Sequence, residues 1–188
     1  MGDPALGKLP RHIQLTDFDI SLERGDARHP MRPVVQGLRL RISDRGLHAL
    51  AHVLVDEADR RAPVGIKLRG LQVGPQGIEL SARMTKSIFS SDLSTRLVLS
   101  APGGEELRVE LTDTNMPNWV PLDMLLDEAA RRGDGVRRDP GNRSALLLDP
   151  AALLAKGGVP GRFAPGHWDV TTSADGLELT FRESAGGA

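Results

Sequence analysis

The sequence predicts an α+β domain, an antiparallel sheet of many short strands with one long helix and two shorter ones. Three observations carry that expectation. Apolar and polar residues alternate with period two in run after run, the signature of strands with one buried face. The turns between runs are short and rich in Gly and Pro, as at Gly74-Pro75-Gln76-Gly77 and Ala101-Pro102-Gly103-Gly104, which forces antiparallel neighbours into a meander. A single stretch, Asp44–Arg61, switches to helical spacing, with Leu47, Leu50, Ala51, Leu54 and Ala58 on a narrow apolar stripe. At 188 residues and 39% apolar content the chain can bury one core, so residues 1–188 read as a single domain. Within it, residues 1–37 are an N-terminal strand and loop, and 38–182 form the sheet and its helices.

In chain order, Ile13 and Leu15 share one face of a strand over His12–Leu22, and Phe18, Ile20 and Leu22 resume after a phase change that calls for a bulge. The polar run Glu23–Pro33 reads as a loop, and Leu38, Leu40 and Ile42 as a short strand. Ser43 is placed to cap the long helix, which stops at Pro63. Val64, Ile66 and Leu68 start the next strand, which shifts phase at Gly70 before Leu71 and Val73. Ile78, Leu80, Ala82 and Met84 follow, then Leu93, Leu97 and Leu99, then Leu107, Val109 and Leu111. Pro121 opens a second helix carrying Leu122, Leu125, Leu126 and Ala129, ended by Arg131-Arg132-Gly133. Gly133–Arg143 reads as a mobile excursion. After the strand Ala145–Leu148, Asp149-Pro150 caps a third helix with Leu153 and Leu154, ended by Gly157-Gly158. The strands Trp168–Thr172 and Leu177–Phe181 close the chain around the turn Ser173-Ala174-Asp175-Gly176.

Composition excludes several function classes. The absence of Cys removes disulfides, thiol nucleophiles and cysteine-ligated zinc, and a net charge of −1 is unlike a broadly basic nucleic-acid binder. No apolar run is long enough for an integral membrane span. Asp44, His48, His52 and Asp56 recur every fourth residue and could offer a ridge of metal ligands, but the ridge flanks the apolar stripe, where a solvated boundary face is expected. Ser87, Ser90, Ser91 and Ser94 lie outside any Gly-x-Ser-x-Gly elbow and read as polar turn residues. Asp113, Asp123 and Asp127 could approach one another as paired carboxylates, against the ordinary expectation that surface acids are solvated. The reading is therefore non-enzymatic, without cofactor, metal or catalytic residue.

The order of pieces resembles bacterial members of the tubular lipid-binding (TULIP) superfamily. The residues that carry the resemblance are Leu40-Arg-Ile-Ser43 leading into Leu47–Leu54, Val64–Val73, Gly77–Met84, Leu93–Leu99, Leu107–Thr112, Val120–Leu126, Ala145–Leu154 and the closing hairpin, covering about Leu38–Phe181. The resemblance implies a strongly curved antiparallel sheet wrapped around the long helix, the two short helices acting as covers, with an apolar ligand in the groove between sheet and helix. The ligand site would be Leu47, Leu50 and Leu54 of the helix with Ile66, Leu68, Ile78, Leu80, Met84, Leu97, Leu99, Leu107, Val109 and Leu111 of the sheet.

The expected partner is thus a lipid or other hydrophobic small molecule. The alternative is a scaffolding domain with a filled core that works through a protein partner, using Trp119, Phe89 or the Arg131–Arg138 loop. The expected compartment is the cytoplasm for the sequence as written, or the periplasm or envelope if a signal or anchor precedes it.

Overall fold

The computed structural model describes residues 12–24, 30–61, 65–117, 122–152 and 162–184. The alternating runs become strands, and strands dominate. One sheet is ordered β1 (Ile13–Arg24), β2 (Met31–Ser43), β11 (Gly176–Glu183), β10 (Gly166–Ser173), with the two-residue β9 (Arg162–Phe163) parallel to β2 at Val34 and Val35. The other is ordered β3 (Gly65–Gly74), β4 (Gly77–Lys86), β5 (Phe89–Ser100), β6 (Leu107–Asn115), β8 (Asn142–Leu148), β7 (Val136–Asp139), antiparallel throughout. Two helices are bounded, α1 (Asp44–Arg61) and α2 (Leu122–Arg132), and a third begins at Pro150.

This corrects the expected fold class. The molecule is mainly β, two sheets facing each other, and no sheet wraps a long helix. Helix α1 forms over the expected residues but lies along β3, with a smaller contact on β11 and β2. Its apolar stripe is too narrow to be enclosed from all sides: Leu47 is buried, while His52, Val53 and Asp56 are exposed. The core is instead made by sheet against sheet. One cluster joins Leu177, Leu179 and Val170 of the first sheet to Leu71, Ile78, Leu80, Leu97 and Leu99 of the second, with Leu47 closing it. The other joins Val35, Leu38, Trp168 and Phe181 to Leu107 and Leu148. There Phe163, Trp168 and Phe181 meet edge on or tilted, with ring centroids 4.7–5.2 Å apart. Such pairs add about 0.5–1.5 kcal/mol beyond their area. The TULIP arrangement of wrap and central helix is therefore not the one this chain adopts.

Local chemistry explains most boundaries. Gly46 N–H donates to Ser43 Oγ at 3.3 Å, the cap expected for α1, and Ala151 N–H donates to Asp149 Oδ1 at 2.9 Å at the start of the third helix. The phase change in β1 is a bulge at Thr16, and β2 carries a matching irregularity at Gln36. The shift near Gly70 is a bulge at Arg69. Gly176 sits at φ 138° in the closing hairpin, where a Cβ would collide with the Ile42 carbonyl oxygen, so only glycine lets β11 dock on β2.

Two loop expectations are also corrected. β1 and β2 take up the two ends of the segment read as the loop Glu23–Pro33, whose residues 25–29 lie outside the described set, and Gly133–Arg143 contains β7. In the second case Arg138 is held by Asp123 at 2.8 Å and Asp127 at 3.4 Å, so charge pairing to α2 anchors a strand too polar to show alternation. Val64, Trp119, Val120, Pro121, Leu153, Leu154, Gly157 and Gly158 lie outside the described residues.

Candidate functional site

The thirteen residues expected to line a groove do not face one common space. Leu47, Ile78, Leu80, Leu97 and Leu99 fill the cluster between the sheets, and Leu107 belongs to the other cluster. Met84 is buried at 2% exposure, and Leu50, Ile66, Leu68, Val109 and Leu111 are half-buried. The side chain of Leu54 lies outside the described set. Without a wrap, the groove between sheet and helix has no walls, and the clustered residues pack between the two sheets.

A cavity of about 520 Å³ opens instead beside α1 and β3–β5, lined in part by His48, Gln72, Glu79, Ser81, Arg96 and Asp113. Its chemistry is self-satisfied. Arg96 pairs with Glu79 at 2.8 Å and with Asp113 at 2.6 Å, and these carboxylates hold its guanidinium above the ordinary arginine value, chiefly through the hydrogen bond to Glu79. Asp113 reaches Arg96 from a left-handed backbone at φ 49°, where β6 sets two residues against Thr95. Ser81 Oγ donates to the Gly70 carbonyl and Thr95 Oγ1 is 2.8 Å from Thr114 Oγ1, so these hydroxyls serve the sheet.

The other clusters resolve the same way. His48 stands 3.7 Å from Asp44 one turn back, His52 is exposed, and no group of three metal-ligating side chains gathers among the described residues. Asp123 and Asp127 do meet, but both are taken by Arg138, while Asp113 is on Arg96. Along the Arg131–Arg138 stretch, Arg131 pairs with Glu128 and Arg137 with Glu106. A carboxylate locked on a guanidinium is a poor general base, because its pair must break before it can take a proton.

The longest exposed apolar row among the described residues lies on β1. Leu15, Phe18, Ile20 and Leu22 stand opposite Leu40, Leu38, Val35 and Pro33 of β2, on the face that elsewhere packs against the second sheet. They nevertheless remain 52%, 46%, 39% and 63% exposed. Among the described residues the second sheet does not extend this far, so the row overhangs the core as a shelf. Among the described residues β1 is also an edge: it pairs with β2 alone and packs on no other element to any comparable extent. The remaining sheet edges are better covered, β3 by α1, β7 by α2, and β10 by the facing sheet. The polar side of β1 carries Asp17, Asp19 and Glu23, with Arg39 reaching Asp17 at 4.0 Å and Arg162 paired to Glu23. Asp19 has no ion-pair partner among the described residues.

Sequence reasoning found these residues as a strand but set them outside the functional part. The signal for the shelf was present in the length of β1, free of Pro and Gly and alternating on either side of its bulge, with acidic residues opposite the apolar row. Compared with protein-family models, with curated proteins and with solved structures, the chain matches none.

Proposed function

We propose that this domain is a non-enzymatic binding module that takes an extended segment of a partner protein onto the free edge of β1. The supporting observation is the coincidence, on one strand, of a backbone edge unpaired among the described residues with an exposed apolar row. Strand addition uses both: main-chain hydrogen bonds give affinity, and alternate side chains of the incoming strand find apolar cover on one face. The acidic face selects the partner. Asp17, Asp19 and Glu23 favour Lys or Arg at the alternate positions, and a second copy pairing antiparallel about Phe18 would set Asp17 against Asp19.

A lipid or acyl chain laid along the same shelf is the second reading, favoured by the continuity of Leu15 and Phe18 with Leu40 and Leu38 of the core. It would cover the side chains and leave the backbone edge unpaired. Two synthetic peptides, one alternating Val with Lys and one alternating Val with Glu, separate the readings by fluorescence anisotropy. The Val/Lys peptide is expected to bind and to slow amide exchange in β1, and the Val/Glu peptide to bind far more weakly. If neither binds and organic extraction of the purified protein yields a lipid that Phe18→Ser/Ile20→Ser loses, the strand reading fails and the acyl-chain reading replaces it.

A further inference from the structure

The β4–β5 hairpin ends in Lys86-Ser87-Ile88-Phe89, with Lys86 paired to Phe89 across a two-residue turn. Such turns are ordinarily filled by Asn, Asp or Gly, which meet the backbone geometry and cost nothing in water. Here Ser87 takes the left-handed conformation at φ 57°, while Ile88 and Phe89 are 89% and 68% exposed, the two most exposed large apolar side chains among the described residues. Nothing in the fold calls for them: the stem of the hairpin is already held by Met84 at 2% exposure.

The strand charges next to this tip are mostly of one sign. On the adjoining halves of β3, β4 and β5 the exposed Lys67 and Arg69 stand with Arg83, beside one carboxylate, Asp92. Lys67, Arg83 and Asp92 occupy a single cross-strand row. Arg83 holds Asp92 through two hydrogen bonds of 2.9 and 3.2 Å, so the acid is already spent. The neighbouring end of α1 carries both signs, with Asp56 exposed, Asp59 turned onto Ile66 N–H, and Arg60 beside it in sequence. The chain as a whole carries −1, so this cationic excess is local. Exposed hydroxyls on Thr85, Ser87 and Ser90 complete the tip.

We infer that the β4–β5 hairpin tip docks on the surface of an anionic bilayer. Ile88 and Phe89 enter the boundary between headgroups and acyl chains, and Lys67 and Arg69 remain at headgroup level against the phosphodiesters. A narrow convex tip needs a yielding surface, whereas a protein partner would have to offer a matching pocket. A nucleic acid would use the cations and leave the apolar pair in water. This site is separate from the β1 edge, and neither depends on the other.

The test is co-sedimentation of the purified protein with vesicles of phosphatidylglycerol and phosphatidylcholine, with pure phosphatidylcholine vesicles as the reference. The protein is expected to sediment with the anionic vesicles, less so at high salt, and to stay in solution with the neutral ones. Ile88→Ser/Phe89→Ser should lower partitioning by about tenfold or more, and Lys67→Gln/Arg69→Gln by about tenfold, each removed cation being worth severalfold at an anionic surface. Both pairs are exposed, so circular dichroism should show the fold unchanged. A Phe89→Trp variant should blue-shift its emission on adding anionic vesicles. No sedimentation of the wild type, or equal sedimentation of the Ile88→Ser/Phe89→Ser variant, overturns the inference. So does binding of a DNA duplex that the Ile88→Ser/Phe89→Ser variant retains, when vesicles leave the emission of the Phe89→Trp variant unmoved.

Discussion

Phe18 and Phe181 stand on either side of Leu38 in one cross-strand row that continues to Trp168. Phe181 is 2% exposed and Phe18 is 46% exposed. The two rings share residue type, sheet, face and a neighbour. They differ in what stands above them: Leu107 and Leu148 of the second sheet belong to the cluster around Phe181, and that cluster does not reach Phe18. The comparison teaches that an alternating pattern determines which face of a strand is apolar, while burial depends on the extent of the opposite layer. The inner half of this sheet is a core. Its outer half, built to the same pattern, is a surface with core chemistry.

The sharpest break of that comparison comes from truncating each ring. Phe181→Ala should cost about 3–5 kcal/mol, the range for a buried aromatic, and lower the melting temperature by roughly 10 °C. Phe18→Ala should cost less than about 1 kcal/mol, because its ring is half in water already. Equal losses in thermal denaturation would mean that the shelf is covered in solution, and a dependence on protein concentration would identify a second copy as the cover.

The backbone allows the same contrast. Gly176→Ala pushes a methyl into the Ile42 carbonyl at a positive φ, and should cost about 2 kcal/mol or more by undocking β11 from β2. Gly37→Ala, on the same strand β2 but facing β1, meets only the Asp19 Cβ at 3.5 Å and should be neutral or stabilising by about 0.4–1 kcal/mol. Urea midpoints of the two variants read the difference directly.

Smaller effects belong to the polar face. Arg39 ties the two halves together, donating to Glu178 at 3.0 Å on β11 and reaching Asp17 at 4.0 Å on β1. Arg39→Ala should cost about 0.2–1 kcal/mol, as exposed pairs do, and less in high salt. The smallest effect is in pH. The hydrogen bonds from Arg83 hold the Asp92 carboxyl below the ordinary aspartate value, so its contribution to stability is present above the usual carboxylate range and is lost as pH falls through the depressed folded-state value. Arg83→Gln should return the Asp92 titration to the ordinary range by NMR, which is the check on that direction.

Most strand positions were legible because their causes are local. The bulge in β1, the phase shift near Gly70, the Ser43 and Asp149 caps and the turns at Gly104 and Gly176 each follow from residues within a few positions of one another. β7 was not legible, since Val136-Arg-Arg-Asp139 has no apolar alternation and is held by ion pairs to Asp123, Asp127, Glu106 and Arg108 from distant segments. Of the residues expected to line a groove, Ile78, Leu80, Leu97 and Leu99 pack between the sheets with Leu177 and Leu179.

The sequence by itself determined the strands, the α1 helix and which side of each is apolar, because periodicity and capping act over a few residues. Only the tertiary structure decided that β10 and β11, at the far end of the chain, insert beside β2 and close the core, and that β1 is left beyond the reach of the second sheet. Pairing between segments more than a hundred residues apart depends on register and on the width of each layer. Neither quantity is written in the alternation of any single strand.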